Sequence, residues 1–113
     1  MDSITITGTT NGSGAATATG GLGGAYRCYA IVWTGTALTS GADIVITAGG
    51  QALLTLADGA LNKTYHPRAL MQSVTDGADL TAIYDYPVVA DDISITVAAG
   101  GATKAFSATI YLL

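Results

Sequence analysis

The segment TYHPRAL, residues 64–70, is where this sequence places side by side the residues that could do chemistry. It contains the only histidine, His66, next to one of the four basic residues, Arg68. A histidine acts as a general base when the fold brings a nucleophile and an orienting acid to it. Pro67 restricts His66 to extended backbone, and the chain has no G-x-S-x-G motif to supply the nucleophile. The sequence therefore favours a structural or interface role for His66, and we predict no catalytic residue.

Metal and cofactor sites have little support in the sequence. DGAD, residues 76–79, and Asp91-Asp92 offer oxygen ligands, but neither has the spacing or the bidentate glutamate of an EF-hand. The glycine-rich GGLGG, residues 20–24, precedes a predicted strand, whereas phosphate-binding loops precede a helix. The only cysteine, Cys28, excludes an internal disulfide and a thiolate metal cage within one chain. We predict no cofactor and no metal, with a calcium ion at a turn or subunit contact as the alternative, and expect Cys28 to be a small buried hydrophobe.

Large rings with polar groups are the remaining candidates for a site. The chain has six tyrosines and one tryptophan but a single phenylalanine, which favours rings whose polar groups meet hydrogen-bond partners. Such rings are concentrated with arginine in the cores of protein interfaces, and they also line sugar-binding faces. Arg68 can bind a carboxylate or backbone carbonyls of a neighbour. The predicted interface residues are Tyr65, His66, Arg68, Tyr84 and Tyr86.

Composition limits the classes of partner. Only 11% of the 113 residues are charged and 50% are hydrophobic, with a mean hydropathy of +0.46. No run approaches the ~18 apolar residues of a membrane-spanning helix, so a membrane protein is not expected. The net charge of −4 disfavours nucleic acid, because phosphate backbones would be repelled. The opening MDSITIT has neither a basic nor an apolar signal region, which predicts synthesis in the cytoplasm without secretion.

Alternating β-branched residues predict strands throughout the chain. ITIT, IVIT and ISIT, at residues 4–7, 44–47 and 93–96, have the two-residue period of a strand with one buried face. Further strands are expected at 26–33, 52–57 and 103–112. In the last, Phe106, Ala108, Ile110 and Leu112 are expected to face inward and Ser107, Thr109 and Tyr111 outward. No window has a helical stripe. The predicted fold class is all-β, a single-domain antiparallel β-sandwich or barrel of jelly-roll type with little or no helix.

The domain is expected to span residues 1–113, since the composition shows no break. Residues 8–24, rich in glycine, are expected to form a long loop or an edge region, with a weak edge strand at 15–19. Along residues 26–33 strict alternation places Tyr26, Cys28, Ala30 and Val32 on one face and Arg27, Tyr29, Ile31 and Trp33 on the other. Apolar groups on both faces predict burial on both sides. The glycine pairs 49–50 and 100–101 are expected to supply the positive φ of tight hairpins.

Several segments together resemble a group of small virion proteins of tailed phages and prophages. They are GADIVITAGG, YHPRAL, DGADLT and ISITVAAGGATKAFSATIYLL, and the similarity covers roughly residues 25–113. Members of that group have a similar length and a Tyr-Pro-Arg-x-Leu segment before a Gly-Ala-x-Leu turn, and they end in a glycine turn and a last strand. In this chain His66 is inserted between Tyr65 and Pro67.

The resemblance implies a structural role without enzymatic activity. We expect a head decoration or cement protein on the outer capsid surface, whose partners are the major capsid protein and further copies of itself as a dimer or trimer. The first alternative is a carbohydrate-binding or receptor-binding β module of a tail or fibre. The second is a small hydrolase or isomerase, which would need Tyr65 and His66 to converge with Asp79 or Asp85 in a closed pocket.

Overall fold

The computed structural model describes residues 2–113, which form eleven strands and no helix. The strands are β1 Ser3–Thr9, β2 Ala16–Gly21, β3 Tyr26–Thr34, β4 Asp43–Ala48, β5 Gln51–Leu56, β6 Asn62–Tyr65, β7 Ala69–Gln72, β8 Asp79–Asp85, β9 Val88–Val89, β10 Asp92–Ala98 and β11 Ala105–Leu112. Every pairing between them is antiparallel. The predicted all-β fold class is confirmed.

Eight of these strands form a two-layered sandwich. One sheet has the order β1-β11-β3-β6, with the short β9 also paired to β3, and the other has the order β2-β10-β4-β5. If the eight sandwich strands alone are numbered 1 to 8 along the chain, the two sheets have the strand orders 1-8-3-6 and 2-7-4-5. This order is that of a jelly roll, in which most connections cross from one sheet to the other.

The core lies between the two sheets and is built from every second residue of their strands, those whose side chains face inward. Ile44 and Ile46 of β4 and Ile93 and Ile95 of β10 face the first sheet and are fully buried. β11 shows the predicted alternation, with Phe106, Ala108, Ile110 and Leu112 buried. From the first sheet, Trp33 stacks on Phe106 with ring centroids 5.8 Å apart, and its indole N–H donates to the carbonyl of Gly59 at 2.8 Å.

The prediction of strict alternation along β3 was wrong. The register to β11 pairs Ala30 with Tyr111 but Cys28 with Leu112, so Tyr29 is an extra residue on β3. Such a bulge changes which side chains face the core. Cys28 and Trp33, predicted to lie on opposite faces, are both buried in the core.

The glycine-rich segments adopt different structures. Gly49 and Gly50 have φ of 55° and 83° and join β4 to β5 as a two-residue hairpin, as predicted. Residues 100–101 do not form a hairpin, because the strands they connect, β10 and β11, belong to different sheets. Between residues 8 and 24 the structure shows the edge strand β2, which pairs with β10.

The hairpin formed by β7 and β8 is separate from the sandwich. The two strands pair only with each other, within the part of the chain that the structure describes. The hairpin, residues 69–85, is inserted between β6 and β9, and the molecule measures 50 × 28 × 21 Å. Neither strand was predicted individually from the sequence. A two-stranded hairpin is marginally stable by itself in water, so the stability of this hairpin depends on its attachment to the sandwich.

Candidate interaction site

The two ends of the hairpin are held together by Arg68 and Tyr86. The guanidinium carbon of Arg68, just before β7, lies 4.4 Å from the centroid of the Tyr86 ring, just after β8. Arg68 Nη1 also donates to the carbonyl of Pro67 at 2.7 Å and to that of Tyr29, on β3, at 3.4 Å. The cation–π contact and these hydrogen bonds fix the base of the hairpin to the first sheet.

A row of tyrosines continues from this contact across the first sheet. The rings of Tyr29 and Tyr86 form a T-shaped pair with centroids 6.4 Å apart, and the centroid of the Tyr29 ring lies 6.0 Å from that of Tyr111 on β11. Edge-to-face and tilted arrangements at these distances are favourable. Tyr29 takes part because it occupies the β3 bulge. Tyr111 faces outward, as predicted. Its contact with Tyr29 depends on the pairing of β11 with β3, which the sequence does not reveal.

An open cleft lies beside the hairpin base. It is lined by Arg68, Tyr84, Asp85 and Tyr86 and has a volume of about 660 Å³, which is within the range of small-molecule sites. Tyr84 is 57% exposed. Asp85 is half-buried, and its Oδ1 accepts a hydrogen bond from the backbone N–H of Tyr86 at 2.7 Å. The cleft thus combines an exposed ring, a fixed guanidinium and a carboxylate.

Exposed apolar side chains are concentrated around the same end of the molecule. Among residues 2–113, the large hydrophobic residues with exposed side chains are Met71, Val74, Ile83, Tyr84, Val88, Tyr111 and Leu113. The first four lie on the hairpin. The other three adjoin its base, since Tyr111 contacts Tyr29, and Val88 and Leu113 both pair with Arg27. Exposed apolar side chains grouped in this way favour an interaction site.

A bulge in β8 precedes the exposed residue Ile83. Leu70 pairs with Tyr84 and Gln72 with Asp79, so one residue of β7 faces four residues of β8. Ala82, within the bulge, has a φ of 56°, a left-handed conformation that is costly for a residue with a Cβ. Bulges of this kind change the direction in which neighbouring side chains point. The neighbour here is Ile83, whose side chain is 49% exposed.

The hairpin is also acidic. Residues 69–85 contain Asp76, Asp79 and Asp85 and no lysine or arginine. Gln72 Nε2 donates to Asp79 Oδ1 at 2.9 Å, and the backbone N–H of Ala78 donates to Asp76 Oδ1 at 3.0 Å. Two of these carboxylates are therefore held by hydrogen bonds, on a hairpin that has no basic residue.

The structure brings three of the five predicted interface residues together. Arg68, Tyr84 and Tyr86 line the cleft. Tyr65 does not, because its half-buried ring packs against the core and carries Lys63 Nζ 5.7 Å from its centroid. His66 is exposed in the connection between β6 and β7. The hydrolase alternative needs a closed pocket of Tyr65, His66 and an aspartate, and neither Tyr65 nor His66 lines the cleft that contains Asp85.

Cys28 is buried beneath the hairpin base. Its burial raises the pKa of the thiol from 9.0 to about 11, and a hydrogen bond with the Ala30 backbone and the positive charge of Arg68 offset only part of that rise. The thiol therefore stays protonated at neutral pH, where a thiolate would be the reactive form.

Other kinds of site are not found in the described residues. Residues 2–113 bring no three potential metal ligands of the His, Cys, Asp or Glu types together. The same residues include no helix of the length and apolar character that crossing a membrane requires.

Fold and site define the chain as a jelly-roll β-sandwich with an inserted hairpin, an apolar end and an aromatic cleft. No protein-family model matches it, and no curated protein or solved structure is significantly similar to it.

Proposed function

We propose that this chain is a virion structural protein of a phage or prophage, of the head decoration or cement type. It binds the outer surface of the assembled capsid and stabilises contacts between subunits of the major capsid protein. The resemblance of residues 25–113 to small virion proteins supports the virion role, and the exposed apolar side chains at the hairpin end support a protein contact there. Jelly rolls occur in viral capsid domains, although the fold alone does not define a function.

A protein surface suits the hairpin end better than other partners do. The exposed side chains Met71, Val74 and Ile83 would lose water contact on binding, which stabilises a complex by about 25 cal/mol per Å² of apolar area. The hairpin carboxylates would be repelled by nucleic acid. They favour a capsid surface in which an apolar patch is bordered by lysine and arginine, because complementary charge raises the association rate and selects the partner.

Preference for the assembled shell explains how binding stabilises it. A ligand that binds the lattice and not the dissociated subunits shifts the equilibrium toward the lattice. Contacts with several capsid subunits, or through a dimer or trimer of this chain, raise the apparent affinity through effective concentration. The hairpin contacts one capsid subunit in this proposal, while the sandwich leaves its other surfaces for neighbouring copies. The chain carries out no reaction in this role.

Particle binding tests the proposal directly. Heads purified from a strain that lacks the gene for this chain are mixed with the protein, sedimented and heated. We expect wild-type protein to bind in hundreds of copies per head and to raise the temperature at which heads release DNA. Val74→Asp, at the fully exposed hairpin tip, should abolish binding, while Thr36→Asp, at an exposed turn between β3 and β4, should not.

Two results would contradict the proposal. If the wild-type protein does not sediment with heads, or if bound protein leaves their heat resistance unchanged, a cementing role is excluded. Copy number distinguishes the tail or fibre alternative, because a tail-tip protein is present in a few copies per particle and a decoration protein in hundreds.

A further inference from the structure

We infer that the cleft lined by Arg68, Tyr84, Asp85 and Tyr86 is a binding site for a neutral saccharide with adjacent hydroxyl groups. This inference goes beyond capsid binding and does not depend on it. The apolar hairpin tip would contact protein, whereas the cleft lies at the hairpin base, next to the sandwich.

The ring of Tyr84 provides the platform. It is 57% exposed and borders an open cleft of about 660 Å³. The face of an aromatic ring carries the negative part of its quadrupole, which attracts the slightly positive C–H groups on the apolar face of a sugar ring. An open cleft admits a ring that lies flat on Tyr84 and leaves room for further sugar units.

Arg68 provides donors in a fixed orientation. Its guanidinium lies on Tyr86, and among residues 2–113 it donates hydrogen bonds through Nη1 only, to two backbone carbonyls. Arginine has five N–H donors in a rigid planar arrangement. The donors on Nη2 and Nε are therefore held in place for oxygen atoms of a ligand.

Asp85 decides between a neutral and an acidic ligand. Its Oδ1 already accepts from the backbone N–H of Tyr86, which leaves Oδ2 as an acceptor at the cleft. A hydroxyl group donates to a carboxylate and accepts from a guanidinium, so two adjacent hydroxyls can satisfy Asp85 and Arg68 together. A ligand carboxylate would be repelled by Asp85 and by the net charge of −4.

Titration of the isolated ¹⁵N-labelled protein with defined sugars tests the inference by NMR. The probes are glucose, galactose, mannose and N-acetylglucosamine, their short oligosaccharides, and glucuronic acid as the acidic comparison. We expect at least one neutral sugar to shift the signals of residues 84–86 and Arg68, with glucuronic acid binding more weakly. Tyr84→Ala should weaken the Kd by about tenfold or more, and Tyr84→Phe, which keeps the ring, by less than about threefold.

Matched variants separate this site from the capsid contact. Thr36→Asp changes an exposed turn between β3 and β4 that does not line the cleft, and it should leave the Kd unchanged. Val74→Asp, which should abolish head binding, should also bind the sugar normally, so that the two proposals can fail separately. The inference is overturned if no neutral sugar shifts these signals at about 20 mM, if only the acidic sugar does, or if Tyr84→Ala binds as tightly as the wild type.

Discussion

Arg68 lies with its guanidinium carbon 4.4 Å from the centroid of the Tyr86 ring, and this contact joins the beginning and the end of the inserted hairpin. The same guanidinium donates to the Tyr29 carbonyl, and the Tyr29 and Tyr86 rings form a T-shaped pair. Both ends of the hairpin are thus attached to one bulged residue of β3. The orientation of the hairpin relative to the sandwich depends on this small cluster.

Arg68→Ala is expected to loosen the hairpin without unfolding the sandwich. Arg68 is exposed, and exposed cation–π contacts contribute about 0.5–1 kcal/mol, so the melting temperature should fall by only a few degrees. Hydrogen exchange of the amides in residues 69–85 should accelerate, while exchange in β10 and β11 stays slow. The affinity for heads should fall by a larger free energy than the stability of the protein does, because the loosened hairpin is the part that contacts the capsid. A melting temperature that falls by many degrees would show that Arg68 supports the core instead.

Trp33→Phe is expected to be strongly destabilising. Trp33 is fully buried, and its indole N–H is the donor to the Gly59 carbonyl. Phenylalanine would leave that carbonyl without the donor and leave a cavity beside Phe106, at a cost of about 2–4 kcal/mol. Urea unfolding at equilibrium measures the change. Tyr111→Phe, which removes one exposed hydroxyl, serves as the control and should change stability by less than about 0.5 kcal/mol; equal effects of the two substitutions would contradict the role of Trp33.

Stability should depend on Cys28 at alkaline pH. Burial raises the pKa of its thiol from 9.0 to about 11. Below pH 9 the thiol is protonated in both states. As the pH rises from 9 to 11 the thiol ionises in the unfolded chain but not in the folded one, so the free energy of unfolding should fall by about 2 kcal/mol from this group.

Comparison with Cys28→Ala isolates that contribution, because other groups titrate in both proteins. The stability advantage of the wild type over the variant should shrink by about 2 kcal/mol between pH 8 and pH 11. A difference that stays constant over this range would show that the folded thiol titrates normally. Unfolding by urea at several pH values provides the measurement.

Gly50→Ala should destabilise the hairpin between β4 and β5. Gly50 has a φ of 83°, and a side chain in the left-handed region costs about 1–2 kcal/mol. Gly12→Ala is the matched control, because no atom lies within 4 Å of the added Cβ and its φ is not in that region. Thermal melts should show a loss for Gly50→Ala alone. Equal melting temperatures for the two variants would refute the strained turn.

The sequence by itself determined the local elements of the sandwich. Alternating β-branched residues set the strands at 4–7, 44–47 and 93–96, and the inward set of β11 followed from the same two-residue period. These features are predictable because side-chain alternation and the positive φ of a Gly-Gly hairpin act over a few neighbouring residues. The sequence also predicted Arg68, Tyr84 and Tyr86 as interface residues, together with Tyr65 and His66.

Only the tertiary structure decided what those residues do together. The Tyr29 bulge, the row from Arg68 to Tyr111 and the cleft with Asp85 depend on pairing between strands far apart in the chain. The same holds for residues 100–101, which look like a hairpin turn but connect two different sheets. The physical reason is that strand order and register depend on how the inner faces of the two sheets are buried against each other. No short segment of the sequence contains that information.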